Sequence, residues 1–235
     1  NTITYRIVLP EFSLPPDTRS VAECGSEVTK PVPPVVKDAC ERNIIPVAGP
    51  EPAPASCGGE MVYTWTYTDC SGRSRIWKHT IEIEDNTAPA FSSALPENIT
   101  VECSMVPAAP VLTATDNCGA ATVSYNETRT NGNCPNSYIL TRKWVAKDNC
   151  NNSVSHVQTI TVRDTKPPVI GSLPNLTTIN CPAVPEFAIA TATDDCDGNV
   201  KLTFEDVRSN GHCSGSYNVI RTWTATDACG NSSTK

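Results

Sequence analysis

The sequence predicts an all-β protein, a tandem array of small antiparallel β-sandwiches, and three observations carry that prediction. The first is an internal repeat: Trp65, Trp144 and Trp223 are each 79 positions apart, inside the related segments "YTWTYTDCSG", "RKWVAKDNCNN" and "RTWTATDACGN". The second is that the 12 cysteines fall into three groups of four, Cys24, Cys40, Cys57 and Cys70, then Cys103, Cys118, Cys134 and Cys150, then Cys181, Cys196, Cys213 and Cys229. The third is period-two alternation of apolar and polar residues, with no stretch at helical period. Twenty prolines against 12 glycines suit short strands joined by stiff turns.

Taken in order, residues 1–9 ("NTITYRIVL") read as the last strand of a preceding repeat, because they resemble "QTITVRDTKPP" at the end of the second one. Repeat 1 then spans 10–87, repeat 2 spans 88–166 and repeat 3 spans 167–235, the last without its final strand. On this reading the chain is a window in a longer array. Repeat 2 shows the strands most clearly: "NITVEC", "VLTATD" and "ATVSYNET", followed by the long runs "SYILTRKWVAKD" and "SVSHVQTITVRD". Tyr138, Leu140, Arg142, Trp144 and Ala146 share one face of the fourth strand, and Val154, His156, Gln158, Ile160 and Val162 share one face of the fifth. A domain of this size with turn signals about every ten residues is expected to be an immunoglobulin-like sandwich.

A module of under 80 residues buries a limited core and needs reinforcement. Four cysteines per repeat, in even number and without a C-x-x-C pair, point to disulfides rather than zinc, and so to an oxidising, extracellular compartment. Four cysteines allow three pairings. The third and fourth flank a strand of ~10 residues, which holds them ~30 Å apart and excludes a bond between them. Strand direction ranks the remaining two pairings and favours first to third with second to fourth. The expected bridges are therefore Cys24–Cys57, Cys40–Cys70, Cys103–Cys134, Cys118–Cys150, Cys181–Cys213 and Cys196–Cys229, one at each end of a sandwich. A net charge of −7 without basic runs disfavours nucleic acid as a partner. No apolar stretch approaches the ~20 residues of a membrane-spanning helix.

The combined motifs "LPENITVEC", "TATDNCG", "R-x-W-x-A-x-D-x-C" and "QTITVRD" resemble the four-cysteine HYR-like modules strung along large surface proteins of Bacteroidota, including gliding-motility adhesins of the SprB kind. The resemblance covers the whole chain, three times over. It implies an immunoglobulin-like sandwich, tandem repetition, export by the type IX system, and a role in adhesion or as the stalk of an adhesin. Repeat 1 departs from it, since Arg6 stands where the later linkers have Asp85 and Asp164, and "VPPVVKDACER" is a loose version of "TATDNCG".

Among candidate sites, Trp65, Trp144 and Trp223 alternate with other apolar residues on one strand face and are expected in the core rather than on a sugar-stacking platform. Arg142 and Arg221, two residues earlier on that face, are expected over the indoles as cation–π pairs. The run "DDCDGN" at 194–199 lacks the frame of an EF-hand loop and reads as a tight turn. Asp85 and Asp164 sit where one repeat hands over to the next, and calcium held there would stiffen the array; no other cofactor is expected. No G-x-S-x-G, H-E-x-x-H or phosphate-loop spacing occurs, so the chain is not read as an enzyme. The expected function is a disulfide-stiffened stalk or fibre at the cell surface. Its partners would be the neighbouring repeats, with fibre self-assembly as a further step. The alternative is a multivalent array that grips polysaccharide or other surfaces, which predicts exposed aromatics recurring at one position.

Overall fold

The structure is a computed structural model and describes residues 2–5, 10–25, 28–55, 57–180 and 182–235. Arg6 and Cys181 therefore lie outside the described residues. Among the described residues there is no α-helix, and one 3-10 turn at Cys103–Met105. Repeat 1 contains β1 (Thr18–Ala22), β2 (Val36–Lys37), β3 (Asn43–Ile44), β4 (Val47–Ala48), β5 (Glu60–Thr68) and β6 (Ser74–Ile83). Repeat 2 contains β7 (Ala90–Phe91), β8 (Ile99–Glu102), β9 (Ala114–Thr115), β10 (Thr122–Asn131), β11 (Tyr138–Lys147) and β12 (Ser153–Arg163). Repeat 3 contains β13 (Val169–Ile170), β14 (Ala192–Thr193), β15 (Lys201–Asn210), β16 (Tyr217–Thr226) and β17 (Ser232–Thr234). The protein is a tandem array of immunoglobulin-like sandwiches, each a main sheet faced by short paired strands.

The main sheets have the orders β1-β6-β5-β4, β10-β11-β12-β8 and β15-β16-β17. Not every pairing is antiparallel: the first strand of the sheet joins the last in parallel, with Ala22 beside Ile83 in repeat 1 and Glu102 beside Arg163 in repeat 2. The sheets of repeats 1 and 2 are therefore mixed rather than wholly antiparallel. Period-two alternation cannot distinguish the two directions, because both place every second side chain on the same face. Repeat 1 also departs from the other two. Where they carry the ten-residue strands β10 and β15, it has only β4, because Pro46, Pro50, Pro52 and Pro54 interrupt the ladder. In repeat 3 the closing strand has begun: β17 pairs with β16, and Trp223 and Lys235 exchange two backbone hydrogen bonds of 2.9 Å.

The alternation seen in the sequence is carried into the burial of β11, where Leu140, Arg142, Trp144 and Ala146 are buried and the intervening residues are not. Trp65, Trp144 and Trp223 are 3%, 1% and 8% exposed. The first core cluster gathers Tyr63, Trp65, Tyr67 and Trp77 with Phe12 and Ile81, and Trp65 and Trp77 pack as directly opposed cross-strand partners. The described chain divides into two compact units, one of residues 1–94, 112–124 and 145–154, the other of 95–111, 125–144 and 155–235. The strands of repeat 2 contribute to both.

Candidate functional site

Strand direction decides which cysteines share an end of a sandwich. In repeat 1, β1 runs parallel to β6 and β5 runs antiparallel to it, so the end of β1 and the start of β5 lie beside the end of β6. Cys24 follows β1 and Cys57 precedes β5. The amide of Gly58 donates to the carbonyl of Ile83 at 2.9 Å, which places Cys57 where β6 passes into the linker. Cys70 lies in the β5–β6 turn at the opposite end, and Arg42, two residues after Cys40, reaches its Sγ at 3.2 Å.

The bridges, however, do not close within a repeat. Cys24 bonds Cys118 and Cys57 bonds Cys150, with Cα separations of 5.1 and 5.2 Å. Cys103 bonds Cys196 and Cys134 bonds Cys229, at 5.9 and 5.1 Å. Each first cysteine takes the second of the following repeat, and each third takes the fourth. This corrects the expected pairs Cys24–Cys57, Cys40–Cys70, Cys103–Cys134, Cys118–Cys150 and Cys196–Cys229. The expected pair Cys181–Cys213 cannot be compared, since Cys181 lies outside the described residues. The reason is geometric: the first and third cysteines share one end, the second and fourth share the other, and bonding range is met with the neighbouring repeat's pair. Cys40, Cys70 and Cys213 are free and exposed. All four bridges lie inside one or other of the two compact units.

Each second or fourth cysteine sits in a turn that its own aspartate builds. Asp148 Oδ1 accepts the amides of Cys150 and Asn152 at 2.7 and 2.9 Å, and Asp227 Oδ1 accepts those of Cys229 and Asn231 at 2.9 and 2.8 Å. Asp38 and Asp69 do the same for their own cysteine turns. The third residue after the aspartate has positive φ in all four turns: Glu41 at 62°, Gly72 at 81°, Asn151 at 75° and Gly230 at 91°. Asp116 and Asp194 make the shorter version, accepting the amides of Cys118 and Cys196 at 2.9 and 2.8 Å. The "DDCDGN" segment is thus a turn, with Asp197 reaching the amides of Asn199 and Ala228.

The linker aspartates Asp85 and Asp164 enter beside these turns. Asn152, the last residue of one turn, donates to the Asp85 carbonyl at 2.9 Å, and Asn231 donates to the Asp164 carbonyl at 3.1 Å. A ligand oxygen of Asp85 lies within 4.8 Å of one on Asp116, and the same holds for Asp164 and Asp194. Asp85, Asp148, Asp164 and Asp227 are all buried. Asp85 Oδ2, Asp116 Oδ2, Asp148 Oδ2 and both Asp164 carboxylate oxygens are buried without a hydrogen-bond partner. Burial holds the Asp164 carboxyl above its ordinary pKa, and the charges of Asp227, Asp194 and Glu102 push it further; Asn136 opposes the shift from nearby without reaching either oxygen in hydrogen-bond geometry. Glu102 accepts the amide and hydroxyl of Thr165 in the linker, and Glu23 accepts the hydroxyl of Thr87. Hydrogen bonds from the Thr165 hydroxyl and amide lower the Glu102 pKa.

The expected cation–π stacking is present for only one of the two arginines. The Arg221 guanidinium lies 3.8 Å from the Phe204 ring centroid and 5.8 Å from that of Trp223, and pairs with Asp206. Arg142 instead directs its guanidinium to Glu127 Oε2 at 2.7 Å and the Pro107 carbonyl at 2.8 Å. Sequence reasoning missed two things here. Tyr125 and Phe204, 79 positions apart, are 45% and 52% exposed, each 5.1 Å from the indole of its strand neighbour. The aspartates of the cysteine turns also converge on the linker acids. Recurrence of D-x-C five times was the available signal for that.

Residues 12–83 match the family described as HYR-like domain with 4 cysteines. No curated protein sequence matches the chain. Among solved structures, the protocadherin gamma B7 extracellular cadherin domains 1–4 are 15% identical over 95% of this chain and 74% of that one, with a TM-score of 0.39. Human CDH23 EC21–23 is 13% identical over 96% of this chain and 98% of that one, at 0.32. Drosophila N-cadherin EC1–3 is 14% identical over 94% and 96%, also at 0.32. With scores this low, the fold rests on the strands and registers described above.

Proposed function

We propose that this chain is a structural segment of a large extracellular adhesin, an array whose repeats, at 10–87, 88–166 and 167–235, are each stapled to the next by two disulfides. The observation that carries the reading is the disulfide register, in which all four bridges link one repeat to the following one. A bridge within a repeat would reinforce that module alone; a bridge between repeats makes the array a covalent ladder that tension can lengthen only through the short segments between bridges. The free cysteines continue the same register. Cys40 and Cys70 occupy the positions that Cys118 and Cys150 fill in repeat 2, where the preceding repeat's first and third cysteines bond. A preceding repeat would take Cys40 and Cys70 in the same way, and a following one would take Cys213 with Cys181.

Modules that engage mainly their sequence neighbours form quasi-one-dimensional rods, which suits a stalk or fibre. The match of residues 12–83 to the four-cysteine HYR-like family supports a surface adhesin, and disulfides of this number fit an oxidising, extracellular setting. Gliding motility and type IX export are the finer part of the proposal and rest on the motif resemblance. A non-reducing tryptic digest tests the core of it. The Cys24 peptide, residues 20–37, is expected joined to the peptide of residues 79–129, which holds Cys118. Finding it joined to the Cys57 peptide, residues 43–73, would remove the ladder and the function built on it.

A second reading has one observation in its favour. Tyr125 and Phe204 are exposed aromatics at one recurring position, as a multivalent binding array requires. If the chain retains a polysaccharide or cell surface and the Y125A/F204A variant does not, the array binds through that face as well as spacing it.

A further inference from the structure

The linker carboxylates have a chemical need that the chain itself does not meet. At the first junction, Asp85, Asp116 and Asp148 each spend Oδ1 on backbone amides of their own turns, and each leaves Oδ2 buried and unpartnered. A cavity of about 50 Å³ opens beside Asp85 and Asp116, bounded also by Glu23, Gly119 and the Cys57–Cys150 bridge. That volume is several times what one water occupies on the same measure, enough for a partly hydrated ion. At the second junction Asp164 lies in the same way against Asp194, and neither oxygen of Asp164 has a partner; Asp227 spends Oδ1 on its own turn and accepts the Asn231 side-chain amide on Oδ2 at 2.7 Å. A buried carboxylate without a partner is strongly unfavourable, and finding an unpartnered linker aspartate against a turn aspartate twice, 79 and 78 residues apart at the two positions, argues against accident.

The molecule contains its own control at the other end of repeat 1. There the aspartates equivalent to Asp116 and Asp148 are Asp38 and Asp69, in the same turns and nearly as buried. Asp38 Oδ2 receives Arg42 Nε at 2.9 Å, and Asp69 Oδ2 receives Arg73 Nε at 2.8 Å. The residues at the arginine positions in the later turns are Ala120 and Gly198, then Asn152 and Asn231, which carry no charge. The linker acid changes in step, since Arg6 stands where Asp85 and Asp164 stand later. Arginine thus supplies the positive charge at the end that lacks a linker aspartate, and no side-chain cation supplies it where a linker aspartate is present. Lys166, near the second cluster, pairs with Asp195 at 3.0 Å on the surface.

We propose that Asp85 and Asp116 hold one calcium ion, and that Asp164 and Asp194 hold a second. The donors are hard oxygens on irregular loops, the set calcium takes, with water completing six to eight ligands. Cys118, Cys150, Cys196 and Cys229 beside them are disulfide-bonded, so no thiolate is present to favour zinc. The ion would bind the linker aspartate of one repeat to the first cysteine turn of the next, alongside the bridges.

Calorimetric titration of the oxidised chain with calcium chloride tests this. Two ions per chain are expected, falling to one in Asp85→Asn and one in Asp164→Asn, and remaining two in Asp38→Asn. Thermal melting separates loss of a site from loss of fold. Removing an unpartnered charge leaves the calcium-free melting temperature of Asp164→Asn equal to or above that of the parent, while the rise on adding calcium shrinks. No binding at several millimolar calcium, or two sites surviving in both linker variants, would overturn the proposal.

Discussion

The ladder of bridges makes a quantitative prediction about pulling. If force is applied at the two ends, the shortest covalent path from Cys24 to Cys229 crosses to Cys118, follows the chain to Cys134 and crosses again. Only about 16 residues on that path can extend, and at about 3.5 Å per residue they yield ~55 Å. The reduced chain releases all of the roughly 205 residues between those cysteines, or ~720 Å. Bridges within repeats would give a third value, because the linkers would then bear the load, and about 109 residues, or ~380 Å, would come free. Single-molecule stretching of the 235-residue chain, oxidised and then reduced, separates the three lengths without ambiguity. Stretching of oxidised material by several hundred ångströms would refute the inter-repeat register, however stable the chain proved. The same bridges stabilise at equilibrium: spanning 93 to 95 residues, each single bridge is worth about 4.7 kcal/mol in the chain-entropy model, less for the second at a junction, whose loop the first already shortens.

Further outcomes follow from single residues. Trp144→Ala removes an indole that is 1% exposed, donates to the Pro110 carbonyl at 3.2 Å and packs on Tyr125; a loss of about 3–5 kcal/mol is expected in denaturant unfolding. Glu127→Gln leaves the buried Arg142 guanidinium without its ion pair and should cost about 1.5–3 kcal/mol at neutral pH. The Arg142 hydrogen bond lowers the Glu127 pKa, so the pair stabilises above the ordinary carboxylate value. That stability disappears as pH falls through the lowered pKa, and parent and variant should converge in acid. Iodoacetamide applied to the folded, unreduced chain should alkylate Cys40, Cys70 and Cys213 and spare the eight bridged cysteines, as mass mapping would show.

Much of this architecture was legible without coordinates. The 79-residue recurrence of Trp65, Trp144 and Trp223 and the period-two faces of β11 and β12 marked the repeated sandwich, because alternation along a strand is a local property of the backbone. The D-x-C turns were legible for the same reason, since an aspartate closes such a turn with amides two and four residues away. Even the arginine pattern was present in the letters, Arg42 and Arg73 appearing in the one repeat whose preceding linker carries Arg6. It acquired meaning only when the second oxygens of Asp116 and Asp148 were seen to be buried and unpartnered.

The sequence by itself determined that twelve cysteines serve three equivalent modules, and strand direction within a module is enough to sort them between its two ends. Which cysteine each one bonds was decided only by the tertiary structure. A disulfide requires Cα atoms roughly 4.4–6.8 Å apart. Cys24 and Cys118 are 94 residues apart and meet at 5.1 Å only because the linker returns one repeat's end to the next repeat's turns. The same holds for the carboxylates: Asp85 and Asp116 are ordinary linker and turn residues in the sequence, and become a charge cluster only where folding removes their water.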